Sequence, residues 1–122
     1  EVMGRYAGWI ALESAIAGGA DVALIPEIPY DINKAAQKIL NRKKRGKQFS
    51  VVVVAEGAKP IGGDITVKAV RNKGEGVDNN KLGGAGEKVA QQLQDICKEE
   101  EVQLHLIGYF LLNMEQKLWN LL

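Results

Sequence analysis

Glu1-Val2-Met3-Gly4-Arg5-Tyr6-Ala7-Gly8, followed by Trp9-Ile10-Ala11-Leu12, Ala17-Gly18-Gly19-Ala20-Asp21-Val22 and Ile25-Pro26-Glu27, is the stretch that decides the reading of this chain. Between Gly8 and Ala17 the residues Trp9, Leu12 and Ile16 recur on one helical face, with Glu13 and Ser14 elsewhere, which predicts a helix with an apolar face. Gly18-Gly19 supplies the positive φ that closes such a helix. Val22-Ala23-Leu24-Ile25 is a short apolar run stopped by Pro26 and Pro29, the pattern of a buried strand whose carboxyl end opens into a loop.

Working outward, Asp31 stands as an N-cap before Ile32, Ala35, Ala36, Ile39 and Leu40, spaced as the stripe of an amphipathic helix lying on a sheet. Arg42, Lys43, Lys44 and Arg45 crowd its last turn, where the helix dipole favours cations, and Gly46 is placed to end it. Phe49 to Ala55, with four valines in a row, predicts a strand covered on both faces. The stretch from Gly57 to Gly86 is rich in glycine and charge, interrupted by Ile65-Thr66-Val67-Lys68-Ala69-Val70, a short strand or an extended arm. Helical spacing returns at Val89, Ala90, Leu93, Ile96 and Cys97, and Val102, Leu104 and Leu106 alternate as in another strand. Strands alternating with helices imply an α/β fold: a layered sheet with at least partly parallel strands and flanking helices.

Bulk properties exclude several function classes. The 122 residues are 46% hydrophobic, enough for one core. With 16 basic and 15 acidic residues the net charge is +1, so no global field draws the chain to nucleic acid or an anionic membrane, and any anion site is local. The lone Cys97 cannot form an internal disulfide, which together with the lack of a signal sequence fits a reducing cytosol. No apolar run approaches the roughly 20 residues of a membrane-spanning helix.

Chemistry concentrates at two places. Glu56 follows the valine strand and precedes Gly57, at the carboxyl end where open α/β sheets hold ligands; a carboxylate there accepts hydrogen bonds from sugar hydroxyls, or else serves as a cap or a partner for lysine. Met3-Gly4-Arg5 stands ahead of a helix, whose N–H groups and positive dipole end attract phosphate. Gly4 permits close backbone approach and Arg5 adds a forked donor, although an arginine in such a place is more often a solvated surface charge. His105 has no metal partner at useful spacing, Cys97 falls on a core stripe, and Gly83-Gly84-Ala85-Gly86-Glu87-Lys88 lacks the Gly-Lys-Ser/Thr ending of a P-loop.

The opening 27 residues, with Val54-Ala55-Glu56-Gly57-Ala58-Lys59-Pro60, Gly62-Gly63 and Leu82-Gly83-Gly84 after them, resemble the phosphofructokinases, in the branch that holds both ATP-dependent and pyrophosphate-dependent members. The resemblance runs to about Gly108 and implies a partial phosphofructokinase fold. It also implies phosphoryl transfer, within glycolysis, to the 1-hydroxyl of fructose 6-phosphate, with Mg2+ arriving with ATP or pyrophosphate and a cytoplasmic homo-oligomer as the working form. By it, Met3, Gly4, Arg5 and Glu56 contact the substrate, with Arg5 near the transferring phosphoryl group. Gly19, Ala20, Asp21, Arg45 and Lys47 align with residues that hold a nucleotide effector between subunits in some bacterial members. On the residues alone, the basic run reads as a solvated helix end.

The chain departs from the family pattern at both ends. It holds no Thr-x-Asp-x-Asp segment, which supplies the family's general base, and it begins inside the Met-Gly-Arg motif, as a piece of a longer enzyme would. The expectation is therefore an inactive fragment, or alternatively a stand-alone, non-catalytic sugar-phosphate or effector-binding module. Ile107-Gly108-Tyr109-Phe110 begins the family's Leu-Gly-His/Tyr-x-Gln-Arg-Gly-Gly motif, which makes Tyr109 a substrate-site candidate. Leu111 to Lys117 abandons it. Residues 1–110 are thus expected to form the partial substrate domain, with 111–122 a divergent tail, either out of frame or a natural amphipathic end.

Overall fold

A computed structural model describes residues 1–69, 81–82 and 84–98. The expected strand at Val102–Leu106, the candidate Tyr109 and the tail 111–122 lie outside the described residues.

Asp31 has extended backbone, and its carboxylate accepts the Asn33 N–H at 2.9 Å, satisfying one of the N–H groups that a helix start leaves open. The helix α2 (Ile32–Lys44) follows. Its expected stripe is the buried one, with Ala35, Ala36 and Ile39 inside and Leu40 packed at the margin. Gly46, at φ 79°, takes the left-handed turn after its end and donates to the Lys43 carbonyl. The stripe meets α3 (Ala85–Cys97), which contributes Ala85, Val89, Leu93 and Cys97 to the same core. Cys97 is wholly buried, as its place on the stripe implied.

α2 connects two parallel strands, β1 (Val22–Leu24) and β2 (Val52–Val54), paired Val22 with Val52, Ala23 with Val53 and Leu24 with Val54. A strand–helix–strand unit of this kind is what β-branched runs separated by an amphipathic helix build. The strand expected over Phe49–Ala55 is shorter than its run of valines. Phe49 and Val51 are exposed, and Val51 is tied instead to Asp21, whose N–H donates to its carbonyl at 2.8 Å. A second, antiparallel pair joins β3 (Val67–Ala69) to β4 (Lys81–Leu82), and gives the Ile65–Val70 segment its strand.

The helix α1 (Trp9–Ala17) packs on both β1 and β2, but through a face other than the expected one. Ala11 is 0% exposed and Ala15 is buried, whereas Trp9 is 65% and Ile16 73% exposed. Ala11 and Ala15 are four residues apart and so share a face; their small side chains let the helix lie close to the sheet, which Trp9 or Ile16 would hold off. α1 ends in a Schellman motif: the Ala20 N–H donates to the Ala15 carbonyl at 2.7 Å, the Gly19 N–H to Ile16, and Gly19 stands at φ 64°. The turn assigned to Gly18-Gly19 is therefore made by the second glycine. With Tyr6 and Ile10 also exposed, α1 presents an apolar outer surface. Trp9→Lys combined with Ile16→Lys is expected to leave the unfolding midpoint within a few degrees of the parent and to reduce self-association, as read by light scattering.

Candidate substrate site at the carboxyl end of the parallel strands

The first residues of the chain return to β2 and extend its sheet. The Val2 N–H donates to the Val54 carbonyl at 2.8 Å, the Glu56 N–H to Val2 at 2.9 Å, and Val2 bridges Ala55 in parallel. On its other edge the same backbone reaches β1 through the Ala55 N–H and the Leu24 carbonyl, 2.9 Å apart. The Met3-Gly4-Arg5 stretch therefore lies beside the carboxyl end of β2, and the Gly57 N–H fixes it by donating to the Gly4 carbonyl at 3.0 Å. Two glycines make the approach possible. Gly4 has φ 145°, and a Cβ on Gly57 would stand 1.9 Å from the Arg5 carbonyl oxygen.

Glu56 completes the arrangement. Its Oε1 accepts from the Gly4 N–H at 3.4 Å, a long contact that leaves the carboxylate with acceptor capacity to spare. Arg5 is half-buried, with its guanidinium 5.9 Å from the centre of the Tyr6 ring, a cation–π distance. Met3, Gly4, Arg5 and Glu56 are thus brought together across about fifty residues of chain, at the position where open α/β sheets hold ligands.

At the amino end of α1, read as a place for phosphate, one N–H has a partner within the chain: Glu27 Oε1 accepts the Gly8 N–H at 2.8 Å. The end of α3 is likewise held from within, since Glu1 Oε2 accepts the Gly86 N–H at 2.8 Å. Neither bond has a sequence signal, because the partners are far apart and the donors are backbone groups.

The second group of candidates is also reordered. Asp21 is only 10% exposed at its side chain; Oδ1 pairs with Arg42 at 2.8 Å and Oδ2 accepts the Val51 N–H at 3.0 Å. Arg42 also donates to Ser50 Oγ, so this member of the basic run is a structural tie, in contrast to the solvated role expected of it. Lys43, Lys44, Arg45 and Lys47 are exposed. The Lys47 N–H donates to the Arg42 carbonyl, which links Lys47 to Asp21 through Arg42, while Gly19 and Ala20 form the helix-ending turn. Removing a carboxylate that carries two such bonds costs about 1.5–3 kcal/mol. Asp21→Ala is expected to lose that amount in denaturant unfolding, and less so in an Arg42→Ala background, a coupling that a double-mutant cycle reads directly.

The sequence model of the family described as phosphofructokinase matches residues 1–115. The chain belongs to the phosphofructokinase family. It is 50% identical over 109 residues to ATP-dependent 6-phosphofructokinase 2 of Clostridium perfringens (strain 13 / Type A), covering 89% of this chain and 29% of that protein. It is 47% identical over 109 residues to the ATP-dependent 6-phosphofructokinase of Chloroflexus aurantiacus (strain ATCC 29366 / DSM 635 / J-10-fl), covering 89% and 28%. A shorter match, 63% identical over 57 residues, is to ATP-dependent 6-phosphofructokinase 3 of Bacteroides thetaiotaomicron, covering 47% of this chain and 17% of that one. The chain thus spans less than a third of the length of these phosphofructokinases, and its parallel strands with flanking helices are part of the phosphofructokinase fold. Among the described residues, no group of three or more His, Cys, Asp or Glu side chains is arranged to hold a metal ion, and no helix is long and apolar enough to cross a membrane.

Proposed function

We propose that this chain is the sugar-phosphate part of a 6-phosphofructokinase, an enzyme that moves a phosphoryl group onto the 1-hydroxyl of fructose 6-phosphate to give fructose 1,6-bisphosphate. The observation that carries this reading is the meeting of Glu56 with Met3-Gly4-Arg5 at the carboxyl end of β2. In it, Glu56 accepts hydrogen bonds from sugar hydroxyls, the Met3-Gly4 backbone lies along the sugar, and Arg5 neutralises charge on the phosphoryl group. Phosphoryl transfer depends on positioning and on charge stabilisation more than on covalent help from the protein, and these residues supply the acceptor's half of that positioning. ATP is the donor we assign, because the relatives above are named ATP-dependent. Mg2+ would arrive with the nucleotide; the described residues do not fit a resident ion, and none of the roles assigned here depends on one.

Tyr109 belongs to the same proposal as a further substrate contact, as does a cytoplasmic homo-oligomer as the working assembly; all rest on family membership. An effector at Gly19, Ala20, Asp21, Arg45 and Lys47 would meet the Arg45 and Lys47 cations, because the Asp21 carboxylate is already held by Arg42 and Val51.

Calorimetric titration tests the reading. Fructose 6-phosphate is expected to bind saturably, fructose not at all at the same concentrations, and Arg5→Ala is expected to weaken the sugar phosphate by about tenfold or more, the loss of one charge-assisted contact. Equal binding of fructose and fructose 6-phosphate, or none of either, overturns it.

A further inference from the structure

α1 and α3 each begin at a glycine that has no capping side chain: Gly8 for α1 and Gly84 for α3. α2 carries its own cap in Asp31. For α1 and α3 the missing acceptor comes from elsewhere in the chain. Gly8 is buried, its N–H donates to Glu27 Oε1, and a Cβ on it would meet Ile25 Cβ at 2.5 Å and Glu27 Oε2 at 2.9 Å. Gly86, also buried, sits in the first turn of α3 and donates to Glu1 Oε2. A buried backbone N–H requires an acceptor, and a carboxylate at a helix start also meets the positive end of the dipole.

The placement of these bonds along the chain gives them a use. Glu1 lies two residues before Met3, and Gly8 lies three after Arg5. One borrowed cap therefore anchors the Met3–Arg5 stretch at its start to α3, and the other anchors it at its end to the loop after β1. Between the anchors, the stretch is held to β2 by the Gly57–Gly4 and Glu56–Val2 backbone bonds. We infer that Glu1 and Glu27 are positioning residues, which hold Met3-Gly4-Arg5 against Glu56 by capping α3 and α1 from a distance. The inference about geometry stands on these bonds alone; its consequence for sugar phosphate rests on the function proposed above.

Hydrogen–deuterium exchange of the full chain without ligand, followed in peptides spanning residues 1–8 and 54–57, tests the geometry. Glu27→Ala and Glu1→Ala are each expected to speed exchange there by about fivefold to tenfold, the equilibrium equivalent of one lost cap. Asp31→Ala, which removes a cap of similar worth from α2, is expected to lower overall stability equally and leave those peptides unchanged. Glu27→Gln keeps an acceptor at full reach and is expected to exchange as the parent does. Glu27→Asp, one methylene short, is expected to behave as Glu27→Ala and carries the test if the alanine variant fails to fold. If Asp31→Ala speeds the same peptides as much as Glu27→Ala, or Glu27→Ala leaves them unchanged, the inference is overturned. In parallel, fructose 6-phosphate affinity is expected to fall by about the same factor in Glu27→Ala and to be restored in Glu27→Gln. A parent chain that binds no fructose 6-phosphate defeats the proposed function, while the exchange data decide the positioning role separately.

Discussion

Gly57→Ala is expected to dismantle the candidate site by adding one methyl group. The new Cβ would stand 1.9 Å from the Arg5 carbonyl oxygen, 2.6 Å from its carbon and 2.8 Å from the Gly4 oxygen. All three are backbone atoms, so no side chain can swing aside and the Met3–Arg5 stretch must leave β2. Overpacking of this kind costs about 1–3 kcal/mol, and losing the Gly57–Gly4 hydrogen bond adds about 1 kcal/mol. Fructose 6-phosphate affinity is expected to fall beyond detection in calorimetry, with the unfolding midpoint lowered as well. Gly46→Ala is the matching control. Its Cβ meets nothing within 4 Å, yet it stands at φ 79°, so it carries about 1–2 kcal/mol of backbone strain and should leave binding intact. If Gly57→Ala binds as the parent does, Met3-Gly4-Arg5 does not form the site.

Glu56→Ala is expected to produce the opposite division: a large loss of affinity with little loss of stability. Among the described residues, the one hydrogen bond given to the carboxylate is the 3.4 Å contact from the Gly4 N–H, too long to contribute much to folding. Toward a sugar it would accept short hydrogen bonds, and those to a charged group are worth about 1.5–3 kcal/mol, or about tenfold to a hundredfold in affinity. Denaturant unfolding should move by less than about 1 kcal/mol. A variant that loses stability and affinity together would mark Glu56 as a structural carboxylate, the loop reading that its position also allows.

What the sequence disclosed follows from the range of each interaction. α2 was legible because its cap, its stripe and its closing glycine are all local. Asp31 acts two residues away, and every α2 residue off the stripe of Ile32, Ala35, Ala36, Ile39 and Leu40 is polar. α1 was legible as a helix but not in its orientation. Nearly every position in it is apolar, so periodicity could not choose a face, and the closeness of the sheet selected Ala11 and Ala15 over the larger Trp9 and Ile16. The resemblance to the phosphofructokinases singled out Met3, Gly4, Arg5 and Glu56 as candidates, which the fold brings together, while Arg42, Glu1 and Glu27 gave no such signal. Their partners are Asp21, Gly86 and Gly8, and such pairings exist only after the layers have packed.

The rung between Val2 and Ala55 also governs when the site can exist. It closes a loop of about fifty residues, and such closures are entropically late compared with helix formation or nearby pairing. A chain emerging from the ribosome has released Met3-Gly4-Arg5 well before Glu56 and Gly57 follow, so this stretch must wait for the residues it is to meet. Partly folded molecules, even with α2 formed, would be silent toward the ligand. Affinity for the proposed sugar phosphate would therefore count the molecules that have finished folding, and an added ligand would draw the population toward that closed state in proportion to how tightly it binds.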